Sequence, residues 1–209
     1  ESIGFENVWG IGDEFLFNNV LERLDLTHQT GKRMLAQIMT TSNHRPFTYA
    51  SGRIDIPSPG GRDGAVKYTD WAIGDFLAKA RQKPWFKDTL FVFVADHCAG
   101  SAGSEDLPVA NYHIPLFIYA PQQIAAREDA QLASQIDLAP TLLGLLNQDY
   151  VSTFYGRNLL QASQLPPRVL IGNYQHLGLF DGKDLATAVT ISLFTDRVAA
   201  IITFGKLQA

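Results

Sequence analysis

Apolar residues recur at the 3.6-residue spacing of an amphipathic helix in three separate parts of the chain. The predicted helices cover residues 14–26, 66–80 and 136–146. Asp13 and Asp137 stand at the starts of the first and third helices, where their carboxylates could cap free backbone amides. Pro84 marks the end of the second pattern, because proline disrupts the interior of a helix.

Other short runs are apolar at consecutive positions, and these runs predict strands. They cover residues 33–41, 89–96 and 114–120. Such runs are typical of buried strands that are covered on both faces of a parallel or mixed sheet. Residues 99–111 are rich in Gly, Ser and acidic side chains and predict a surface loop. From Pro166 onward, strand-like runs alternate with Gly, Asp and Lys turns, which predicts a small antiparallel meander.

The order of these elements predicts an α/β fold. We expect a mixed sheet sandwiched by helices, followed by a small antiparallel sheet at the C-terminus. No internal repeat or low-complexity linker separates the two parts. We therefore expect a single domain, in which residues 1–165 form the main part and residues 166–209 form the terminal antiparallel strands.

The composition excludes several classes of protein. Hydrophobic residues make up 46% and charged residues 18% of the 209 positions, as in an ordinary folded domain. The net charge of −4 provides no basic field for nucleic acid. The single cysteine, Cys98, cannot form a disulfide within the chain. No apolar run approaches the roughly 20 residues that span a bilayer, so we expect this piece to be soluble. Because the sequence lacks an initiator Met and a signal-peptide pattern, we expect it to begin partway through a longer protein.

Asp96 and His97 directly follow the predicted strand over residues 89–96. In an open α/β sheet, functional groups gather beyond the carboxyl ends of the strands. A carboxylate oxygen and an imidazole nitrogen together suit Mn²⁺ or Zn²⁺ better than they suit a calcium site. The alternative is an Asp that caps a turn beside a hydrogen-bonded His, and the dipeptide alone does not exclude it.

His44 is the second candidate, because it also follows a predicted buried strand. If the two strands are parallel, His44 and Asp96 should share one cleft, on the order of 5–10 Å apart. The alternative is a histidine that fixes its own turn. For the remaining candidates we expect a structural role for His113, surface positions for His28 and His176, a small buried side chain for Cys98, and solvated loop charges for Glu105 and Asp106.

Several strings in the sequence together resemble one family. They are SNHRPF, FVFVADHCAGSAG, YHIPLFIYAP, SQIDLAPTLLGLL and GRNLL, and they occur in order between Gly12 and Leu160. The chain resembles the C-terminal half of a sulfatase-type catalytic domain of the lipoteichoic acid synthase and phosphoglycerol transferase branch, within the alkaline phosphatase superfamily. The resemblance implies that Asp96 and His97 hold one catalytic divalent metal, commonly Mn²⁺, with Mg²⁺, Ca²⁺ or Zn²⁺ as alternatives. It also implies that His44 contacts the phosphoryl or sulfuryl group of the substrate.

The same resemblance implies a covalent mechanism. A threonine alkoxide attacks the phosphodiester of a phospholipid such as phosphatidylglycerol, whereas a related sulfatase attacks a sulfate ester. Thr40 and Thr41 stand in the wrong motif for this nucleophile. We therefore expect the nucleophile and a further acidic ligand in an upstream part of the same domain, and no turnover by this chain alone. The complete protein is expected to be extracytoplasmic and anchored in a bacterial inner membrane.

A second hypothesis comes from a different functional class. The chain could be a noncatalytic α/β module that binds a polyanionic ligand or supports a neighbouring domain. Metal content distinguishes the two hypotheses, because only the enzyme requires an ion at Asp96 and His97.

Overall fold

A computed structural model describes residues 4–99, 107–173 and 176–189 of the protein. The chain divides into two compact units. The first unit contains the chain up to Leu90 together with Ala120–Ala125, and the second contains Phe91–Tyr119 and the chain from Ala126 onward. Whether residues 166–209 belong to the same domain as the preceding residues therefore stays a prediction.

The first unit is built on two helices. Its elements are β1 (Glu6–Asn7), β2 (Gly10–Ile11), α1 (Asp13–Gln29), α2 (Gly61–Ala80) and a 3-10 turn at Phe86–Asp88. The two helices pack against each other, and the rings of Phe17 from α1 and Phe76 from α2 stack with 5.0 Å between their centroids. Each buried aromatic side chain contributes about 1.5–3 kcal/mol of hydrophobic stabilisation. The first two predicted helices are thus confirmed, and both extend beyond their predicted limits.

The predicted strand over residues 33–41 is not present. These residues have no regular secondary structure, and they form no strand with any described residue. Within the described chain, the backbone of residues 32–40 makes no hydrogen bond. The side chains of Leu35 and Met39 are 97% and 67% exposed. The prediction of a buried strand was wrong here because an apolar run specifies a strand only when a partner supplies the backbone hydrogen bonds.

The second unit contains a two-stranded sheet of β3 (Phe91–Val94) and β4 (Leu116–Tyr119). The strands pair antiparallel, with Phe91 opposite Tyr119 and Val94 opposite Leu116. Both predicted strands are therefore confirmed, but the described residues contain no parallel pair. The expected burial on both faces is also wrong, because Val94 and Phe117 are exposed.

The rest of the second unit consists of short helices and a small sheet. Its elements are α3 (Leu138–Leu145), 3-10 turns at Val109–Tyr112, Gln135–Asp137 and Leu159–Gln164, and the strands β5 (Val169–Gly172), β6 (His176–Phe180) and β7 (Leu185–Val189). These three strands form an antiparallel sheet in chain order. The predicted third helix and the predicted meander are confirmed. The last predicted strand, within residues 190–209, lies outside the described residues.

Two predicted helix caps have other roles. Gly12 occupies the cap position of α1, and Asp13 lies inside the helix with its carboxylate directed to other parts of the first unit. Asp137 precedes α3, but its carboxylate accepts from Ser134 N at 2.9 Å rather than from the amides of the helix. None of the described helices is long and apolar enough to cross a membrane.

Candidate functional site

Asp96 and His97 lie just beyond the end of β3, as the sequence predicts. Their side chains are 71% and 73% exposed, and they extend from the carboxyl end of the strand. The dipeptide therefore belongs to a turn, where neighbouring side chains are no longer held on opposite faces of a sheet.

Among the described residues, one polar atom of each side chain makes no hydrogen bond. Oδ1 of Asp96 accepts from the backbone N–H of His97 at 2.9 Å. Nδ1 of His97 lies 2.7 Å from the carbonyl oxygen of Cys98. Because a carbonyl can only accept, Nδ1 carries the proton of the neutral ring, and Nε2 has a free lone pair. The free Nε2 lies 3.6 Å from Oδ2 of Asp96.

This arrangement fits a divalent cation. Two ligand atoms that are each about 2.1 Å from one metal ion stand about 3.0–3.4 Å apart in octahedral or tetrahedral geometry. The observed 3.6 Å between Oδ2 and Nε2 is close to that separation. The hydrogen bonds expected of a capping Asp beside a bonded His are also present, but they occupy only Oδ1 and Nδ1. Residues 4–99, 107–173 and 176–189 contain no group of three or more His, Cys, Asp or Glu side chains placed so that they could hold a metal ion together.

His44 lies in a tight turn of the first unit. Its N–H donates to Thr41 O at 3.1 Å, and its carbonyl accepts from Phe47 N at 2.7 Å. The ring lies against Trp9, with 3.6 Å between ring centroids, and Nδ1 is 3.4 Å from the carbonyl oxygen of Arg45. The indole N–H of Trp9 donates to the same carbonyl. These contacts hold one side of an exposed imidazole.

Asp13 anchors the chain that leads into the His44 turn. Its carboxylate is fully buried and accepts from Thr41 N at 2.9 Å, Ser42 N at 3.1 Å and Thr69 Oγ1 at 2.7 Å. Its own N–H donates to Ser42 Oγ at 3.1 Å. The sequence indicates only an acid at a helix start, so this anchoring role was missed.

Gln135 is a second residue that sequence reasoning missed. Its side-chain amide donates to the carbonyl oxygens of Ala95 and Asp96, at 2.8 Å in both cases. No local pattern links a glutamine to a dipeptide 39 positions earlier. Its position inside the string SQIDLAPTLL is the one sequence signal that could have drawn attention to it.

The structure leaves the predicted common cleft untested. His44 belongs to the first unit, and Asp96 and His97 belong to the second. The strand-based reason for a shared cleft was wrong, because residues 33–41 form no strand and β3 pairs antiparallel. A cleft that contains all three residues therefore stays a prediction.

The other candidates occupy varied positions. His28 and His113 are exposed, and Cys98 is half-buried. His176 was expected at the surface, but it is half-buried in β6 and its Nδ1 is buried without a hydrogen-bond partner in the described structure. This prediction was wrong because neighbouring polar residues do not reveal which face of a strand is covered. Glu105 and Asp106 lie outside the described residues.

Comparison with known families gives a match over most of the chain. The family model described as Sulfatase matches residues 3–148. The protein described as phosphoglycerol transferase I from Xanthomonas axonopodis pv. citri is 27% identical over 172 residues, which cover 77% of this chain and 24% of the relative. A protein of the same description from Xanthomonas euvesicatoria pv. vesicatoria is 25% identical over 200 residues, covering 88% and 27%.

Two solved structures are similar over nearly the whole chain. A protein in the alkaline phosphatase superfamily from Vibrio parahaemolyticus has a TM-score of 0.84 and 30% identity, and the match covers 100% of this chain and 52% of that one. The lipoteichoic acid synthase LtaP from Listeria monocytogenes has a TM-score of 0.62 and 20% identity, with coverage of 98% and 55%. The predicted fold class is confirmed. The chain spans about a quarter of the curated relatives and about half of these structures.

Proposed function

The chain belongs to the sulfatase family, and on this premise we propose that it supplies part of the active site of a metal-dependent enzyme. The reaction is transfer of a phosphoglycerol group from a phospholipid, or hydrolysis of a related phosphate or sulfate ester. The observation that carries the proposal is the 3.6 Å separation of Asp96 Oδ2 and His97 Nε2, neither of which makes a hydrogen bond within the described residues. Their second polar atoms already have partners, so each side chain has one atom available for an ion.

Asp96 and His97 would hold one divalent metal, with Mn²⁺ as the first choice. Such an ion neutralises charge on a transferring group and lowers the pKa of a coordinated hydroxyl. The carboxylate supplies negative charge that favours the cation, and the Nδ1 contact with Cys98 O orients the imidazole. Histidines that bind a metal through one ring nitrogen commonly donate the N–H of the other nitrogen to a backbone carbonyl, a carboxylate or water.

His44 would contact the phosphoryl or sulfuryl group. Its Nδ1 is directed to a backbone carbonyl, and Trp9 covers one ring face, so Nε2 is the nitrogen available to a ligand. A protonated Nε2 can donate a hydrogen bond to an anionic oxygen or return a proton to a leaving oxygen. The nucleophile is assigned to no residue of this chain.

The remaining part of the site would come from preceding polypeptide of the complete protein. Within the described part of the chain, the backbone groups of residues 32–40 have no hydrogen-bond partner, and Leu35 and Met39 are exposed, as in a strand that lacks its neighbours. Hydrogen exchange tests this assignment. The amides of residues 33–40 should exchange rapidly in the 209-residue chain and be protected in the complete protein; rapid exchange in both would contradict it.

A phospholipid donor would place the complete protein at a membrane surface. The extracytoplasmic face of a bacterial inner membrane is the location that the motifs favour. Fractionation of cells that express the complete protein, followed by protease accessibility in intact spheroplasts, tests this location. Protection from external protease would contradict it.

The catalytic proposal is tested by metal binding and turnover in the complete protein. With Mn²⁺, it should cleave a glycerophospholipid diester or an aryl sulfate, and the preferred substrate decides between transferase and sulfatase. Asp96→Ala and His97→Ala should each reduce turnover by more than about a hundredfold. Asp149→Ala is the matched control, because Asp149 is exposed and distant in sequence from the pair. Full metal occupancy in the Asp96→Ala, His97→Ala double variant would refute the metal assignment.

A noncatalytic module is the second candidate. It is favoured by the two-ligand site within the described residues and by the high exposure of both side chains. This candidate predicts no turnover of either ester by the complete protein, together with retained binding of a polyanion such as polyphosphate.

A further inference from the structure

The side chain of Gln135 uses both of its N–H donors on consecutive backbone carbonyls at the end of β3. Its Nε2 lies 2.8 Å from Ala95 O and 2.8 Å from Asp96 O. These two carbonyls belong to the peptide groups on either side of Asp96. Fixing both peptide planes limits the backbone rotations that direct the side chains of Asp96 and His97.

Gln135 is itself held by a well-anchored turn. Ser134 and Asp137 form a reciprocal capping box around it, with Ser134 N donating to Asp137 Oδ2 at 2.9 Å. The Asp137 carboxylate is 2% exposed and also accepts from Arg157 N at 2.7 Å. Ser134 Oγ bonds to the backbone of Leu170 in β5 at 3.2 Å. The glutamine amide is therefore presented from a turn with little freedom.

We propose, on the premise that the metal-dependent function above is correct, that Gln135 is a positioning residue for the metal pair. It acts through the backbone of Ala95 and Asp96 and touches neither the metal nor the substrate. By restricting the turn, it lowers the conformational freedom that Asp96 and His97 lose when they bind an ion.

A purely structural role makes a different prediction. The Gln135 side chain is exposed, and a hydrogen bond of an exposed group contributes little to the free energy of folding. Its loss should therefore alter thermal stability slightly. Loss of ligand orientation, by contrast, commonly weakens metal binding by about 10–100-fold. Metal affinity and folding stability thus separate the two roles.

The experiment measures the Kd of the complete protein for Mn²⁺ by isothermal titration calorimetry and by the electron paramagnetic resonance signal of free Mn²⁺. Gln135→Met retains the side-chain length but removes both donors. Gln123→Met is the matched control, because the Gln123 amide donates to Lys87 O at 2.7 Å in the first unit. The Gln135 variant should raise Kd about tenfold with little change in Tm. The control should leave Kd within twofold.

The possible failures are distinguishable. If the unsubstituted protein binds Mn²⁺ through Asp96 but Gln135→Met leaves Kd unchanged, the positioning role is wrong and the proposed function stands. Equal increases in Kd for Gln135→Met and Gln123→Met would also overturn the positioning role. If the unsubstituted protein binds no Mn²⁺, or Asp96→Ala binds it equally well, both proposals fail.

Discussion

Replacing Asp13 should destabilise the first unit strongly, and the structure sets the magnitude. The fully buried carboxylate accepts from Thr41 N, Ser42 N and Thr69 Oγ1. Asp13→Ala leaves three donors without their acceptor, and each unsatisfied buried group costs about 1–3 kcal/mol. Because water can reach part of the loop, we expect a total loss of about 3–5 kcal/mol rather than the full sum.

Asp13→Asn should be much milder. The amide oxygen can still accept from the two backbone N–H groups, and the amide nitrogen can donate to the hydroxyl of Thr69. We expect the free energy of unfolding to fall by about 1–2 kcal/mol, because hydrogen bonds to a neutral amide are weaker than hydrogen bonds to a carboxylate. Asp70→Ala serves as the control, because Asp70 is exposed on α2, and its effect should be within about 0.5 kcal/mol.

Urea unfolding monitored by tryptophan fluorescence measures these differences. All three tryptophans, Trp9, Trp71 and Trp85, lie in the first unit, so the signal reports on the unit that contains Asp13. If Asp13→Ala unfolds within 0.5 kcal/mol of the unsubstituted chain, about the effect of a neutral surface change, the anchoring role is wrong. If Asp13→Asn is as unstable as Asp13→Ala, the charge rather than the acceptor geometry dominates.

Three further outcomes follow from local geometry. Lys83 donates to the Asp25 carboxylate at 2.5 Å and holds the pKa of Asp25 below its usual value of 3.8. The Lys83–Asp25 pair therefore stabilises the folded chain fully above pH 3.8, and this stabilisation is lost as the pH falls through the lower pKa of Asp25 in the folded state. Asp25→Asn should cost about 0.5–1 kcal/mol at pH 7 by urea unfolding, and the difference should shrink as the pH falls below 3.8; a constant difference would contradict this. Gly156→Ala should lower Tm sharply or prevent folding, because a Cβ would lie 1.7 Å from Ile136 O. Gly74→Ala has open space on α2 and should stabilise the first unit by about 0.5–1 kcal/mol; equal effects of the two alanines would refute the steric explanation.

The candidate metal ligands show how far residue type carries a site prediction. The pattern of an apolar run that ends in Asp96 and His97 identified both side chains and their position after a strand. It did not identify which atoms are free, because this depends on the contacts of Oδ1 and Nδ1 in the folded turn. The contact of Gln135 with this turn could not be predicted for a related reason. Its partners lie about 40 positions away in the sequence, and such contacts produce no periodic pattern.

The sequence by itself determined the elements whose information is local. The helices α1 and α2 could be predicted from the spacing of their apolar residues, because each helix buries one face, which contains Phe17 in α1 and Phe76 in α2. The small C-terminal sheet follows from short runs and tight turns, because antiparallel neighbours pair close in sequence. The family motifs also depend on adjacent residues and could be read directly.

Tertiary structure alone decided pairing, burial and anchoring. Residues 33–41 have the composition of a buried strand, yet they form no strand and Leu35 and Met39 are exposed, because no described segment supplies backbone partners to residues 32–40. Asp13 has the position of a helix cap, yet it bonds to a loop about 28 residues away. In both cases the stability of the local structure depends on a group that is distant in the sequence. The order of residues alone does not specify which such group will be close in space.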